Sequence, residues 1–337
     1  MNAGSSVRIA VDGMGGDHAP SVVVEGAIQA ARDFGYQILI VGQEDVIKSE
    51  LEKHSPIPEG ISIHHAQEVV DMHEPATTPI RKKKDSSINM CVKLVQENKA
   101  DAIVSAGNTG AAVCATTLRL GLLKGVQRPG IAILFPTLKG ITMLIDVGAN
   151  IDPKPEHLLQ YGIMGDAYLR HILGNPNPSI GLLNVGEEDT KGPDFTKQTH
   201  QLLSESRLNF IGNVEGRDIY SGECDVIVCD GFVGNVVLKV SESLAFTISV
   251  FLKRELKKGI MSKLGVLLSS SAFRIFKKKV DYAEYGGAPL LGVDGRVIIG
   301  HGSSNAKAIR NAIRVAAEFK EKHINQHIVE EIEQWKK

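Results

Sequence analysis

Five short apolar runs in this chain each stop at a small polar residue with glycine close behind. They are Ile9-Ala-Val-Asp12-Gly13, Ala102-Ile-Val-Ser105-Ala-Gly107, Leu144-Ile-Asp146-Val-Gly148, Leu182-Leu-Asn184-Val-Gly186 and Val226-Ile-Val-Cys229-Asp230-Gly231. Unbroken apolar runs of this length read as strands buried on both faces, as in a parallel sheet. In open parallel sheets ligands bind beyond the carboxyl ends of the strands. Five such ends carrying Asp, Asn, Ser and glycine predict one polar rim lined with backbone N–H groups. That rim suits an anion such as phosphate.

Strand and helix patterns alternate along the chain. Strands are predicted at 7–12, 37–41, 61–64, 102–105, 131–135, 143–146, 179–185, 208–212, 226–230 and 297–299. Helices are predicted at 21–34, 45–54, 86–98, 109–123, 156–172 and 195–206. The alternation implies an α/β fold, a mostly parallel, doubly wound sheet with helices on both faces. The region from Val236 to Tyr282 is helical, and a long amphipathic helix closes the chain, with Ile309, Ile313, Ala316, Ile324, Ile328 and Ile332 as its apolar stripe. With 337 residues and no Pro/Ser-rich linker, the chain reads as one catalytic domain over 7–337, or two subdomains sharing a sheet.

A formal net charge of -1 argues against a dedicated nucleic-acid binder. Four scattered cysteines make neither a disulfide framework nor a zinc site, so reduced thiols and a cytosolic location are the expectation. No leader pattern precedes Val7, and no apolar run reaches the roughly 20 residues of a spanning helix.

Several glycine-rich turns sit where a strand gives way to a helix. Ser105-Ala-Gly107-Asn108-Thr109-Gly110 reads either as an anion cradle at a helix N-terminus or as a capped βα turn. Asp230-Gly231-Phe-Val-Gly234-Asn235, followed by Lys239, and Asn184-Val-Gly186-Glu-Glu-Asp189, followed by Lys191, carry the same two readings. Convergence of several such loops is better evidence than any one, because phosphate needs many donors. In Asp12-Gly-Met-Gly15-Gly16-Asp17-His18-Ala-Pro20, the Asp17–His18 pair is either near substrate or a helix cap beside an exposed histidine. Gly300-His301-Gly-Ser303-Ser-Asn305 places His301 as a candidate base.

The absences narrow the chemistry. The chain has no G-x-S-x-G elbow, no G-x-x-x-x-G-K-[ST], no complete G-x-G-x-x-G and no H-E-x-x-H. Two basic stretches remain. Arg81-Lys82-Lys83-Lys84 fits phosphate, an acidic partner protein or a solvated loop. Lys253 to Lys279 holds nine Lys/Arg and one Glu, a net +8, around an apolar tip containing Ile260, Leu264, Leu267 and Leu268. That tip, within a basic amphipathic hairpin at 248–282, fits either membrane contact or a dimer interface.

Taken together, Val-Asp-Gly-Met-Gly-Gly-Asp-His-Ala-Pro20, Ser-Ala-Gly-Asn-Thr-Gly110, Asp-Val-Gly-Ala-Asn150, Lys-Pro-Glu-His157, Asn-Val-Gly186, Gly-Asn-Val-Glu215, Asp-Gly-Phe-Val-Gly-Asn235 and His-Gly-Ser-Ser304 resemble PlsX-type phosphate acyltransferases. The likeness runs from about Val7 to the final helix. One departure is Gly13, where alanine is commoner in that family. The resemblance implies transfer of an acyl group from acyl carrier protein to inorganic phosphate, feeding phospholipid synthesis, with no cofactor or metal. It also implies the fold of phosphotransacetylases and isocitrate/isopropylmalate dehydrogenases, a homodimer, and a cytoplasmic enzyme peripherally associated with the membrane or a membrane acyltransferase.

The residues fit that chemistry. Phosphate attacks the thioester directly, so no enzyme nucleophile is required. Amides around Gly107, Thr109 and Gly110 and from Gly231 to Asn235 bind it, with Gly15, Gly16, Asn184, Gly186, Lys191, Gly234, Lys239 and Ser303 as further contacts. Asn108 and Asn235 donate to the oxyanion. Asp12, Asp17, His18, Asp230 or His301 carries the proton. Arg81 to Lys84 meet the acidic carrier. The alternatives are an NAD-dependent decarboxylating dehydrogenase of the same fold and a non-catalytic membrane-surface scaffold.

Overall fold

The computed structural model describes residues 7–273, 276, 284 and 286–335. In chain order its elements are β1 (Arg8–Asp12), α1 (Ser21–Phe34), β2 (Gln37–Gly42), α2 (Glu44–Glu52), β3 (Ile61–His65), α3 (Thr77–Lys82), α4 (Ser87–Gln96), β4 (Ala102–Ser105), α5 (Thr109–Leu120), β5 (Gly130–Pro136), β6 (Ile141–Ile145) and α6 (Pro155–Tyr168). There follow β7 (Ser179–Leu183), α7 (Asp194–Ser204), β8 (Asn209–Val214), β9 (Val226–Val228), α8 (Gly231–Leu256), α9 (Ile260–Leu268), β10 (Ala288–Leu291), β11 (Val297–Ile299), α10 (Ala306–Glu321) and α11 (Ile324–Trp335).

The strands form a single sheet in the order β3-β2-β1-β4-β11-β10-β5-β6-β9-β7-β8. The antiparallel pairings, β11–β10, β10–β5 and β5–β6, sit together in its middle. Every other pairing is parallel. The consequence is directional. The strands β1 to β4 and β11 run one way, and β6, β9, β7 and β8 run the other.

Apolar burial explains each half. Ile9 and Val11 of β1, Val23, Val24 and Ile28 of α1, and Ile309 and Ile313 of α10 share one core. Across the sheet's other half, Tyr161 and Tyr168 of α6 pack with Ile324, Ile328 and Ile332 of α11. Burying each such aliphatic side chain contributes about 1.5–3 kcal/mol. The closing amphipathic pattern is therefore a true core stripe, but it belongs to two helices. His323, with φ 50, breaks the helix between them.

The strand at Ala288–Leu291 and the short helix at Thr77–Lys82 are additions to the sequence expectation. Helix α8 begins at Gly231, earlier than Val236, because the Asp230 carboxylate caps it by accepting the Val233 N–H at 2.9 Å. By length and composition α8 could cross a membrane, the one such helix among the described residues. Only Gly231 and Gly234 of it are buried. Its Phe232, Val240, Leu244, Phe246, Ile248 and Phe251 face outward.

Candidate active site

The single polar rim expected from the sequence is divided by the strand directions. Asp12 and Ser105 end β1 and β4, and Gly300 follows β11, at one edge. Asp146, Asn184 and Cys229–Asp230 follow β6, β7 and β9, which run oppositely.

At the first edge the turns interlock. Asp12 is 4% exposed, and its carboxylate accepts the Ser105 hydroxyl at 2.7 Å and the Met14 N–H at 3.3 Å. Burial pushes this carboxyl up, against the Ser87 and Ser105 hydroxyls and the N–H groups of Met14 and Gly15. Asp12 thus organises the two loops from beneath. Gly15 lies so close to Gly107 that a Cβ on it would sit 2.7 Å from the Gly107 nitrogen. The Asp17 N–H donates to the Gly302 carbonyl at 2.8 Å, which joins the third turn to the first. The Asp17 and His18 side chains are exposed.

Helix α5 starts here, and Asn108 is its cap. Its Oδ1 accepts the Ala111 N–H at 2.9 Å, while its Nδ2 faces the carbonyls of Asp71 (3.3 Å), Met72 (3.1 Å) and Glu74 (2.8 Å). Both ends of the amide are therefore occupied within the protein, and the 71–74 loop is fastened beside the N-terminus of α5. The adjacent α10 is capped in the same way, with Asn305 accepting the Ala308 N–H at 2.9 Å.

At the second edge a buried carboxylate dominates. Asp146 is fully buried and accepts N–H groups from Ile131 (2.9 Å), Gly148 (3.1 Å), Ala149 (2.9 Å) and Asn150 (2.7 Å). Burial raises its pKa, and these four N–H groups oppose the shift. The Asp146 backbone also touches α8 so closely that a Cβ on Gly234 would collide with its carbonyl. Asn235 is exposed and lies beside Gly148. The sequence motif Asp-Val-Gly-Ala-Asn150 held this carboxylate, and its role is legible only once the turn folds round it.

Side chains of α8 reach from the second edge to the loop after β11. Lys239, two turns into α8, places its Nζ 3.1 Å from Nε2 of His301, in the loop after β11. Glu242 lies 3.0 Å from Lys239 Nζ and 3.4 Å from His301 Nε2. His301 Nδ1 meets the Ser303 hydroxyl at 2.7 Å. Glu242 carries no signal in the sequence beyond its i+3 spacing from Lys239.

The structure thus brings Asp12, Gly15, Gly16, Asp17, Gly107, His301 and Ser303 together with Lys239, and reaches Gly231, Gly234 and Asn235 through α8. Asn184, Gly186 and Lys191 form a separate loop, closed by the Asn184 Nδ2 bond to the Lys191 carbonyl at 3.2 Å. No hydrogen bond among the described residues joins that loop to the turns at His301. Within the basic run, Lys83 is tied to Glu74 and the Val69 carbonyl, while Arg81, Lys82 and Lys84 are exposed. Leu267 and Leu268 are exposed on α9. The side chains of Ile260 and Leu264, and Lys277, Lys278 and Lys279, lie outside the described residues.

Comparison with known proteins places this chain in a family. Residues 7–327 match the family described as fatty acid synthesis protein. The chain belongs to that family. Among curated relatives, the phosphate acyltransferase of Geotalea daltonii is 54% identical over 328 residues, covering 97% of this chain and 95% of the relative. The phosphate acyltransferase of Geobacter sulfurreducens is 53% identical over 327 residues, covering 97% and 94%.

Solved structures similar to it include a phosphotransacetylase from Streptococcus pyogenes, with TM-score 0.61, 18% identity and 94% of each chain covered. The EutD phosphotransacetylase from Staphylococcus aureus gives TM-score 0.60 at 15% identity, covering 94% of this chain and 95% of that one. A 4-hydroxythreonine-4-phosphate dehydrogenase from Klebsiella pneumoniae gives TM-score 0.54 at 14% identity, covering 96% and 100%. At these identities the likeness is one of fold, and the dehydrogenase alternative gains nothing from it.

Proposed function

We propose that this chain is a phosphate acyltransferase that moves an acyl group from acyl carrier protein to inorganic phosphate, yielding acyl phosphate and free carrier, in bacterial phospholipid synthesis. Membership of the fatty acid synthesis protein family and 50–54% identity to relatives named phosphate acyltransferase support the reaction class. The structural observation that carries the site is the convergence of the Gly15, Gly107 and Gly302 turns beside the Lys239–His301 contact.

In this reading phosphate lies against the N-termini of α5 and α10, where the helix dipoles favour an anion. Lys239 adds a cation. A phosphate oxygen attacks the thioester carbon, the C–S bond breaks, and the proton released by phosphate reaches the carrier thiol through His301. Asp17 and His18 border the site. Asn235 donates to the tetrahedral oxyanion. Asn108, with its amide engaged, shapes the pocket by fixing the 71–74 loop. Asp230 caps α8, so proton transfer rests with His301.

The reading extends to partners. Exposed Arg81, Lys82 and Lys84 steer the acidic carrier protein toward the α5 entrance. The enzyme acts as a homodimer in the cytoplasm, with the outward apolar flank of α8 available to a second copy. The α9 tip and its basic flanks meet anionic lipid or a membrane acyltransferase.

The test is a hydroxylamine-trapping assay for acyl phosphate with acyl carrier protein thioester and varied phosphate. Saturable, phosphate-dependent product is expected, with Asn235→Ala lowering kcat about 100-fold. Absence of acyl phosphate at saturating phosphate would contradict the reaction. Wild-type kinetics in Asn235→Ala would remove that residue from the site.

A further inference from the structure

We infer that Glu242 is a positioning residue that fixes the tautomer of His301, holding Nδ1 ready to accept a proton on the phosphate side. The inference rests on the site reading above and adds to it a residue that touches neither substrate nor the reacting atoms.

A donor faces each nitrogen of the His301 ring, and the single lone pair of a neutral imidazole can accept from only one of them. The backbone N–H of Ser303 points at Nδ1 of His301 at 3.2 Å. A backbone N–H can only donate, so it favours an accepting Nδ1 that carries the lone pair. A neutral ring then bears its hydrogen on Nε2. That side of the ring faces two groups from α8, the Lys239 ammonium at 3.1 Å and the Glu242 carboxylate at 3.4 Å. An ammonium and an Nε2–H are both donors and oppose each other. The carboxylate of Glu242, 3.0 Å from Lys239 Nζ, is the acceptor that accommodates both.

Without that carboxylate the balance reverses. Lys239 donates to a bare Nε2, the ring hydrogen moves to Nδ1, and the face toward Ser303 becomes a donor. A donor there cannot take the phosphate proton. With Glu242 in place the cycle closes. As the phosphate oxygen bonds to the acyl carbon, its proton passes through the Ser303 hydroxyl to Nδ1, which then donates to that hydroxyl oxygen and gives up the Ser303 N–H. The imidazolium is held by Glu242, and the proton returns to the departing carrier thiolate. The thioester and hydrogen phosphate become acyl phosphate and free thiol, with no proton gained or lost. Burial raises the pKa of Glu242, but contacts with His301 and Lys239 outweigh it and keep the group below its usual range, so it is ionised at neutral pH.

The test combines ring-15N NMR of the histidine-labelled enzyme with steady-state kinetics. The His301 signals are assigned by difference from His301→Ala. In the wild type the Nε2–H tautomer is expected. Glu242→Met moves the hydrogen to Nδ1 and lowers kcat by about 10- to 100-fold, while KM for phosphate stays within about twofold. Glu242→Gln keeps an acceptor oxygen, retains the Nε2–H tautomer and recovers most of the rate. Lys239→Met combined with Glu242→Met removes the competing donor and restores the tautomer.

An Nε2–H tautomer in Glu242→Met, or wild-type kcat in that variant, overturns the inference. His301→Ala separates the two levels of the account. If it keeps wild-type phosphate kinetics, the site reading fails. If it is crippled while Glu242→Met keeps the wild-type tautomer, the site stands and only the role of Glu242 is lost.

Discussion

The side-chain amide of Asn108 donates to the carbonyl of Met72 at 3.1 Å, tying a loop 36 residues upstream to the start of helix α5. The same nitrogen faces the Asp71 and Glu74 carbonyls, while the amide oxygen caps the helix. Replacing Asn108 with alanine loses the cap, a cost of about 1 kcal/mol, and frees the 71–74 loop. Faster amide exchange at 71–76 and a raised KM for phosphate, with a smaller loss in kcat, are expected. Unchanged exchange in the loop would show that something other than Asn108 holds it.

Asp146 is the strongest structural test at the second edge. Truncation in Asp146→Ala leaves the N–H groups of Ile131, Gly148, Ala149 and Asn150 without their acceptor in a buried site. A loss of about 2–4 kcal/mol is expected from urea unfolding, with the midpoint falling and the slope kept. Asp146→Asn, which retains one acceptor oxygen, is expected to lose less. Equal stability of the alanine variant and the wild type would mean that the turn is held by its backbone alone.

Much of this architecture is legible in the chain because the relevant signals are local. Ala102–Ser105 and Val297–Ile299 fall where unbroken apolar runs place them, and α1 occupies the predicted span. The reversal of strand direction arises in the β5–β6 hairpin, but the joining of the two halves is not local. It depends on β10, whose four residues include Pro289 and follow Gly286-Gly287, a composition that reads as a loop. That strand exists because β11 and β5 flank it. Because β10 seats β5 parallel in direction to β11 and the β5–β6 hairpin then reverses the rest, the expected common rim could not be checked from sequence. Glycine spacing located the strand-to-helix turns. It gave no sign that Asn108 would spend its amide on Met72, or that Lys239 would reach across to His301.

His171 makes one helix junction sensitive to acid. Its ring stacks on His327 of α11, centroids 3.6 Å apart and planes 2° from parallel. Burial, then His327 and Arg170, hold its pKa below the usual range, while Glu331 and Asp166 pull the other way. The unfolded chain therefore binds more protons between the lowered value and about 6.5, so stability falls as pH drops below that point. Urea midpoints are expected to decline between pH 7.5 and 5, less steeply in His171→Phe, which keeps a stacked ring. Identical slopes would place the acid sensitivity elsewhere.

Asp101 acts at lower pH. Its carboxylate accepts from the Arg8 backbone N–H at 3.0 Å and side chain at 3.2 Å, with Lys320 at 3.5 Å. Burial raises its pKa, but the hydrogen bonds and charge of Arg8, with Lys320, prevail and lower it. The stabilisation is present above about 3.9 and is lost as pH falls through the depressed folded value. Asp101→Asn is expected to cost about 1 kcal/mol or less at pH 7, with the difference from wild type shrinking toward pH 2. A difference that stays constant with pH would rule out the ion pair as its source.

The α9 tip gives a prediction about membranes. Leu267 and Leu268 are exposed among basic flanks. Leu267→Asp and Leu268→Asp are each expected to reduce co-flotation with anionic vesicles and leave acyl transfer in solution unchanged. Flotation equal to wild type in both variants would dissociate this tip from membrane contact.

The central claim is that phosphate is held where the Gly15, Gly107 and Gly302 turns meet. Arsenate has the shape and charge of phosphate, and its arsenic can be located by anomalous diffraction from soaked crystals. An arsenic peak within hydrogen-bond reach of the α5 and α10 N-termini, beside His301 and Lys239, is the predicted result. A peak confined to the Asn184–Lys191 loop, with the His301 site empty at saturating arsenate, would contradict the account.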